Sequence, residues 1–274
     1  MAKHLENKKK VNKNENQVNK KSNKKKIFIG IIMFILIVLI ITSCIYIYKY
    51  FADTKNSQET SEILSKIEVD EEEITDETTE RMLQVKKLQE ENKDVVGWLE
   101  IPDTNISYPV LQGDDNEYYM THDYKKKYTI DGSLFLDKDY DFKKPSSNLL
   151  IYGHNNRGHD TMFAHLLDYK DEEFYKKHPI IRFTTEKEDA EYEIISVFES
   201  RVYYKSEKNV FRYYYFVDAK NEKEYNEYVE NALDASLYDT GKTAEYGDQL
   251  ITLSTCAFHT EDGRFAVVAR KIEK

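Results

Sequence analysis

Residues 27–48 form a run of 22 residues with no charge, mostly Ile, Leu, Val and Phe. Coiled as a helix at 1.5 Å per residue they reach about 33 Å, enough to cross a hydrocarbon core of about 30 Å. A buried core helix is the plain alternative, but 22 residues without a charge favour a membrane span, which divides the chain before any fold is considered. Tyr46, Tyr48 and Tyr50 stand where an interfacial aromatic belt is expected. On the amino side, residues 1–26 hold ten lysines against two glutamates; on the other, residues 52–80 hold eleven acids against two lysines. Lysine excess marks the cytoplasmic face. The expected layout is a basic cytoplasmic tail (1–26), a single transmembrane helix (27–48), an acidic extracellular tether (49–80) and a folded domain (81–274), in the cell membrane. A polybasic run abutting a membrane helix is accounted for by the anionic leaflet, so no nucleic-acid partner is expected. A cleaved signal peptide competes with this layout, but the apolar run is long for one and no small-x-small site follows it. Ile41-Thr-Ser-Cys44 only loosely resembles a lipoprotein processing box.

Residues 49–80 are polar and acidic, and a flexible chain of about 30 residues has an r.m.s. reach of roughly 30 Å. Met82, Val85, Leu88 and Gln89 then recur at helical spacing, which predicts a short amphipathic helix over 79–92. Beyond it come short runs rich in Tyr, Ile, Val and Phe, broken by Asp-Asp and Asp-Gly turns. Strands are expected over 97–101, 106–110, 133–136, 148–153, 180–184, 191–199, 211–217, 249–255 and 264–271. Helices are expected over 162–167, 171–177 and 222–234. Eight or nine strands at this spacing describe a mainly antiparallel barrel or sandwich with peripheral helices.

The chain has two cysteines. Cys44 lies in the anchor, where it reads as a small apolar residue. Cys256 is therefore the single thiol of the exported part and has no intramolecular disulfide partner there. It ends an apolar strand, Gln249-Leu-Ile-Thr-Leu-Ser-Thr-Cys256, and Arg264 opens the next one after a turn-like Asp262-Gly263. An inert buried cysteine is the plain alternative; a fixed cation beside the thiol favours a nucleophile. Thiolate chemistry also needs a proton partner. His154 ends the run Leu149-Leu-Ile-Tyr-Gly153, and a strand end projects a side chain from a rigid base; His259 is nearer in sequence but sits in a loop. Both remain candidates on spacing. His159, His165 and His178 lie among charged or helical residues and are expected at the surface.

Thr252-Leu-Ser-Thr-Cys256 with Arg264 downstream, and Tyr152-Gly-His154-Asn upstream, resemble the signature of sortases, cysteine transpeptidases of Gram-positive surfaces. The likeness runs over about 98–270 and includes Tyr108-Pro-Val-Leu-Gln, Asp115-Asn-Glu-Tyr-Tyr and Gly132-Ser-Leu-Phe-Leu-Asp. It implies an eight-stranded β-barrel. The helix over 222–234 before the cysteine strand, and the helix before Trp98, resemble class B. Carried over, Cys256 would be the nucleophile, His154 its proton partner and Arg264 the group that holds the substrate backbone and oxyanion. Asn116, Met120 and Ser254 match positions lining the substrate groove. The resemblance implies partners of two kinds: secreted proteins with a C-terminal sorting motif of the Asn/Ser-Pro-x-Thr-Gly/Asn type, cut after Thr, and a peptidoglycan precursor amine. No metal or other cofactor is implied. The loop over 257–263 is short, so a carboxylate near the cysteine is not assigned. A pilin-polymerising sortase, an L,D-transpeptidase and a non-catalytic membrane-tethered adhesion or sensor ectodomain are the competing readings; Ala257 stands where the second would place an arginine.

Overall fold

The computed structural model describes residues 26, 28–52, 55, 77–156 and 159–273. The basic tail up to residue 25 and most of the acidic tether (53, 54 and 56–76) lie outside the described residues. Chain contacts divide the protein into two units, Met1–Lys55 and Asn56–Lys274. In the first, helix α1 spans Phe28–Ala52, 25 residues with a mean hydropathy of 3.1 over its most apolar window and none of that window buried. It runs four residues past the expected end, through Tyr50 and Phe51.

The second unit opens with α2 (Glu77–Glu91), followed by β1 (Val95–Glu100), β2 (Ser107–Leu111), β3 (Leu134–Leu136) and β4 (Asn148–Tyr152). Then come α3 (Glu172–Lys177), β5 (Ile180–Thr184), β6 (Asp189–Arg201), α4 (Glu222–Asp234), β7 (Leu250–Cys256) and β8 (Gly263–Lys271). The eight strands close into a barrel in the order β1-β2-β3-β4-β7-β8-β6-β5. Pairs β2–β3 and β4–β7 are parallel and the others antiparallel.

Side-chain alternation sorts each strand between two environments. On β7, Ile251 and Leu253 join Phe265, Val267 and Ala269 of β8 in the main core. The preceding Leu250, with Ala266 and Val268, packs instead beneath α4, against Tyr225, Tyr228 and Val229. At the other flank α2 lays Val85 and Leu88 on Trp98, Leu111 and Phe135; Arg81 stacks over the Trp98 ring at 4.6 Å and pairs with Glu100 at 3.2 Å.

Three expectations need correction. Residues 211–217 are not a ninth strand: Tyr213–Tyr215 forms a single 3-10 turn. Its alternating aromatics fill the outer layer instead, with Phe216 stacked on Tyr228 at 4.0 Å and Tyr213 edge-on to Phe198. Residues 162–167 are not an α-helix but lead into a 3-10 helix, Ala164–Lys170. The cause is visible in the sequence: Phe163, Leu166 and Tyr169, all fully buried, recur every three residues, the period of a 3-10 turn. His159 is not a surface group; its side chain is 6 % exposed and its Nδ1 lies 2.7 Å from buried Asp131.

Candidate active site

The register places the chemistry. Cys256 pairs directly with Arg264 in the β7–β8 ladder. Opposed residues of antiparallel strands share a face, with Cβ atoms about 4.5–5.5 Å apart. On the other side of β7, Tyr152 of parallel β4 is level with Ser254. Gly153 N–H donates to Ser254 O at 3.1 Å, so the match continues past the strand end. Two residues on from Tyr152 and Ser254 come His154, just past the end of β4, and Cys256, the last residue of β7. The thiol, the imidazole and the guanidinium line one cavity.

Local bonds hold this end of the sheet. Thr255 Oγ1 donates to Gly153 O at 2.8 Å, and Asn155 Nδ2 donates to Cys256 O at 3.0 Å. The histidine segment is therefore tied to the cysteine segment on both sides of His154. His154 Nε2 lies 2.6 Å from Met120 O. A carbonyl can only accept, so Nε2 carries the proton and Nδ1 is the nitrogen left to gain or lose one. Arg264 Nη1 donates to Gly263 O at 2.9 Å. Its Nε and Nη2 make no hydrogen bond among the described residues, leaving donors for a ligand oxygen.

The expected groove residues meet at the same place. Asn116, Met120, His154, Ser254, Cys256 and Arg264 line one cavity of about 200 Å³. Met120 ends the 3-10 turn Tyr118–Met120. That turn is started by Asp115, whose carboxylate accepts the N–H of Tyr118 at 2.7 Å and of Glu117 at 2.8 Å. Those two N–H groups hold its pKa below the usual carboxylate value. Ser254 is 2 % exposed and its hydroxyl is bonded to Tyr213 OH at 2.7 Å. Burial keeps the Tyr213 phenol far above its ordinary range, hence neutral. His259 lies outside the cavity lining, with Nδ1 3.7 Å from Glu199, so of the two histidine candidates the structure brings His154 to the thiol.

Four further residues line the cavity without having been singled out: Phe135, Tyr152, Gly153 and Thr255. Tyr152 was within reach of sequence reasoning, since alternation puts it on the face of His154. Phe135 required the β3–β4 register, which pairs it with Tyr152. A larger hollow, about 840 Å³, lies at the other end of the barrel, where β7 begins and β8 ends, and its lining holds neither Cys256 nor any histidine.

A thiol that shares one cavity with an imidazole and a guanidinium is a site for acyl transfer. Comparisons with known proteins agree. Residues 99–272 match the sortase domain family. Sortase B of Listeria monocytogenes is 33% identical over 193 residues, 70% of this chain and 75% of that protein. The chain superposes on sortase B from Bacillus anthracis with a TM-score of 0.65 at 30% identity, over 83% of this chain and 100% of the other. A substrate complex of Staphylococcus aureus sortase B gives 0.62 at 28% identity, over 82% and 97%. The chain belongs to the sortase family and resembles its class B members throughout the barrel: it is a cysteine transpeptidase.

Proposed function

We propose that this enzyme cleaves secreted proteins after the Thr of a C-terminal Asn/Ser-Pro-x-Thr-Gly/Asn motif and joins them to a peptidoglycan precursor amine. The carrying observation is the β7–β8 pairing of Cys256 with Arg264, with His154 lining the same cavity from just past the end of β4. The Cys256 thiolate adds to the Thr carbonyl while Arg264 N–H groups stabilise the oxyanion. Collapse breaks the peptide C–N bond, and His154 gives its proton to the departing amine, leaving a thioester. An incoming amine attacks the thioester, His154 takes its extra proton, and the thiolate leaves as the new amide forms. Asn116, Met120 and Ser254 line the groove that receives the motif. Helix α1 anchors the enzyme, with the lysine-rich tail inside and the catalytic domain outside.

The test compares the full chain in detergent with its Cys256→Ala variant on quenched fluorescent peptides carrying the motif, with hydroxylamine or triglycine as acceptor. The wild type yields a Thr hydroxamate or a Thr–Gly amide by mass spectrometry, and the variant neither. Product formation that survives Cys256→Ala sinks the reading.

A further inference from the structure

The hollow of about 840 Å³ at the far end of the barrel is within the size range of small-molecule sites, and the chemistry above makes no use of it. Gln249, next to the first residue of β7, lines it, and Cys256 ends that strand, so about 20 Å of β7 separates the two sites. A ligand held there would not obstruct the catalytic groove.

Gln249 sets the polarity of this lining. Its Nε2 donates to Tyr140 OH at 2.8 Å and towards Ser146 O at 3.4 Å, while its Oε1 accepts from Tyr192 OH at 3.1 Å. Turning the amide over would set its oxygen against Ser146 O. The Tyr140 hydroxyl is therefore the acceptor in its bond to Gln249, and its own O–H has no acceptor among the described residues. Tyr140 is only 6 % exposed, and burial pushes its pKa up to about 12, so the phenol keeps that proton. A buried side chain in the lining thus holds a hydrogen-bond donor in reserve.

Four lysines and four carboxylates line the hollow, which leaves it without net charge. Most are already engaged. Lys271 pairs with Glu188 at 2.6 Å; Asp218 Oδ1 takes the N–H and O–H of Ser147 at 3.0 Å; Asp248 Oδ2 takes Glu245 N–H at 2.8 Å. Asp218 Oδ2 and Asp248 Oδ1 receive no hydrogen bond among the described residues and are acceptors to spare. Two exposed rings complete the lining: Phe142 in T-shaped contact with Tyr140 at 4.8 Å, and Tyr246 with Tyr225 at 5.8 Å. Each is braced by a buried ring yet keeps much of its own surface open.

These features select a ligand class. An ion finds no net field here, and a purely apolar ligand would cover the Tyr140 O–H and the two carboxylate oxygens without partners. A sugar satisfies all of them: its C–H face lies against an aromatic ring, and each hydroxyl both gives and takes a hydrogen bond.

We propose that this hollow is a carbohydrate-binding site, separate from the catalytic groove, for a short neutral oligosaccharide. The choice of probe rests on the wall-attachment function proposed above; the site itself does not. The full chain, in a detergent without a sugar headgroup, is titrated calorimetrically with a β-linked N-acetylglucosamine tetramer, the sugar of peptidoglycan strands, and with a glucose tetramer. Triglycine and inorganic phosphate are the other arms. At least one sugar is expected to bind with a Kd of about 1 mM or tighter. Tyr140→Phe and Tyr246→Ala are each expected to weaken it about fivefold. Tyr204→Ala, which removes an exposed ring outside this lining, is expected to leave it unchanged. Circular dichroism melts check that each variant folds; should Tyr140→Phe not fold, Phe142→Ala takes its place. Preference for the N-acetylglucosamine tetramer assigns the site to wall glycan, and equal affinities to saccharides in general. Failure of both sugars to bind, binding that ignores the substitutions in the lining, equal weakening by Tyr204→Ala, or a hollow that takes triglycine or phosphate but neither sugar would each overturn the proposal. Binding is read without any cleavage step, so loss of the cleavage reading leaves this result standing, and the reverse holds too.

Discussion

Gly132→Ala probes how the fold holds the candidate histidine. Gly132 has φ of +58°, and a Cβ there would lie 2.5 Å from Met120 O and 2.6 Å from Tyr119 O. Met120 O is the atom that accepts from His154 Nε2, and Tyr119 O accepts Ser133 N–H at 2.9 Å. Two costs add. A left-handed backbone costs an alanine about 1 kcal/mol. Opening the contact to an ordinary distance moves the 119–120 carbonyls by about 0.9 Å and weakens their hydrogen bonds, about 1 kcal/mol each. The sum is about 3 kcal/mol. For a domain of this size that lowers Tm by roughly 6–12 °C. Gly241→Ala is the control: its φ is +67°, but a Cβ there meets nothing within 4 Å, so it loses about 2–4 °C. Circular dichroism melts of both variants, with peptide cleavage measured alongside, separate the two costs. Gly132→Ala is also expected to lose about tenfold in kcat, because the His154 acceptor moves. Equal Tm losses in the two variants, or full activity in Gly132→Ala, would refute the reasoning.

Two shorter predictions concern other contacts. Asn155→Ala removes the donor to Cys256 O; losing about 1 kcal/mol of alignment corresponds to roughly a fivefold fall in kcat, with little change in Tm. Stopped cleavage assays check it, and an effect confined to Tm would oppose it. His165 lies between Asp168, 2.8 Å from its Nδ1, and Asp160 at its Nε2. These carboxylates, Asp168 first, raise its pKa above 6.5. A raised pKa stabilises the fold below the unfolded value and ceases to do so as pH climbs through the folded one. His165→Asn should therefore lower the urea midpoint at about pH 5.5 and leave it nearly unchanged at about pH 8.5. A constant difference across that range would exclude the ion pairs as its cause.

The strands carrying the chemistry were legible because alternation and burial agree along them: the spans expected over 148–153, 249–255 and 264–271 overlie β4, β7 and β8 with end differences of one residue. Alternation misled at 211–217, where the same pattern packs aromatics onto Phe198 and Tyr228 without joining a ladder. An apolar side chain needs a dry neighbour, and either arrangement supplies one. His159 was misjudged for a related reason, because its partner Asp131 is remote in sequence and comes from another loop.

Local sequence determined the long apolar helix, the strands, and the placing of Cys256 and Arg264 at facing strand ends, since these depend on hydrophobic period, length and short turns. The family resemblance added roles for those residues. The tertiary structure set His154, and not His259, in the cavity with Cys256, through the parallel pairing of β4 with β7, strands about 100 residues apart. It alone brought Asn155 to Cys256 O, Tyr213 to Ser254, and Asp137 behind Asn116 and Tyr152. Hydrogen bonds between segments distant in sequence follow from barrel closure and register, and neither is written in the period of any one strand.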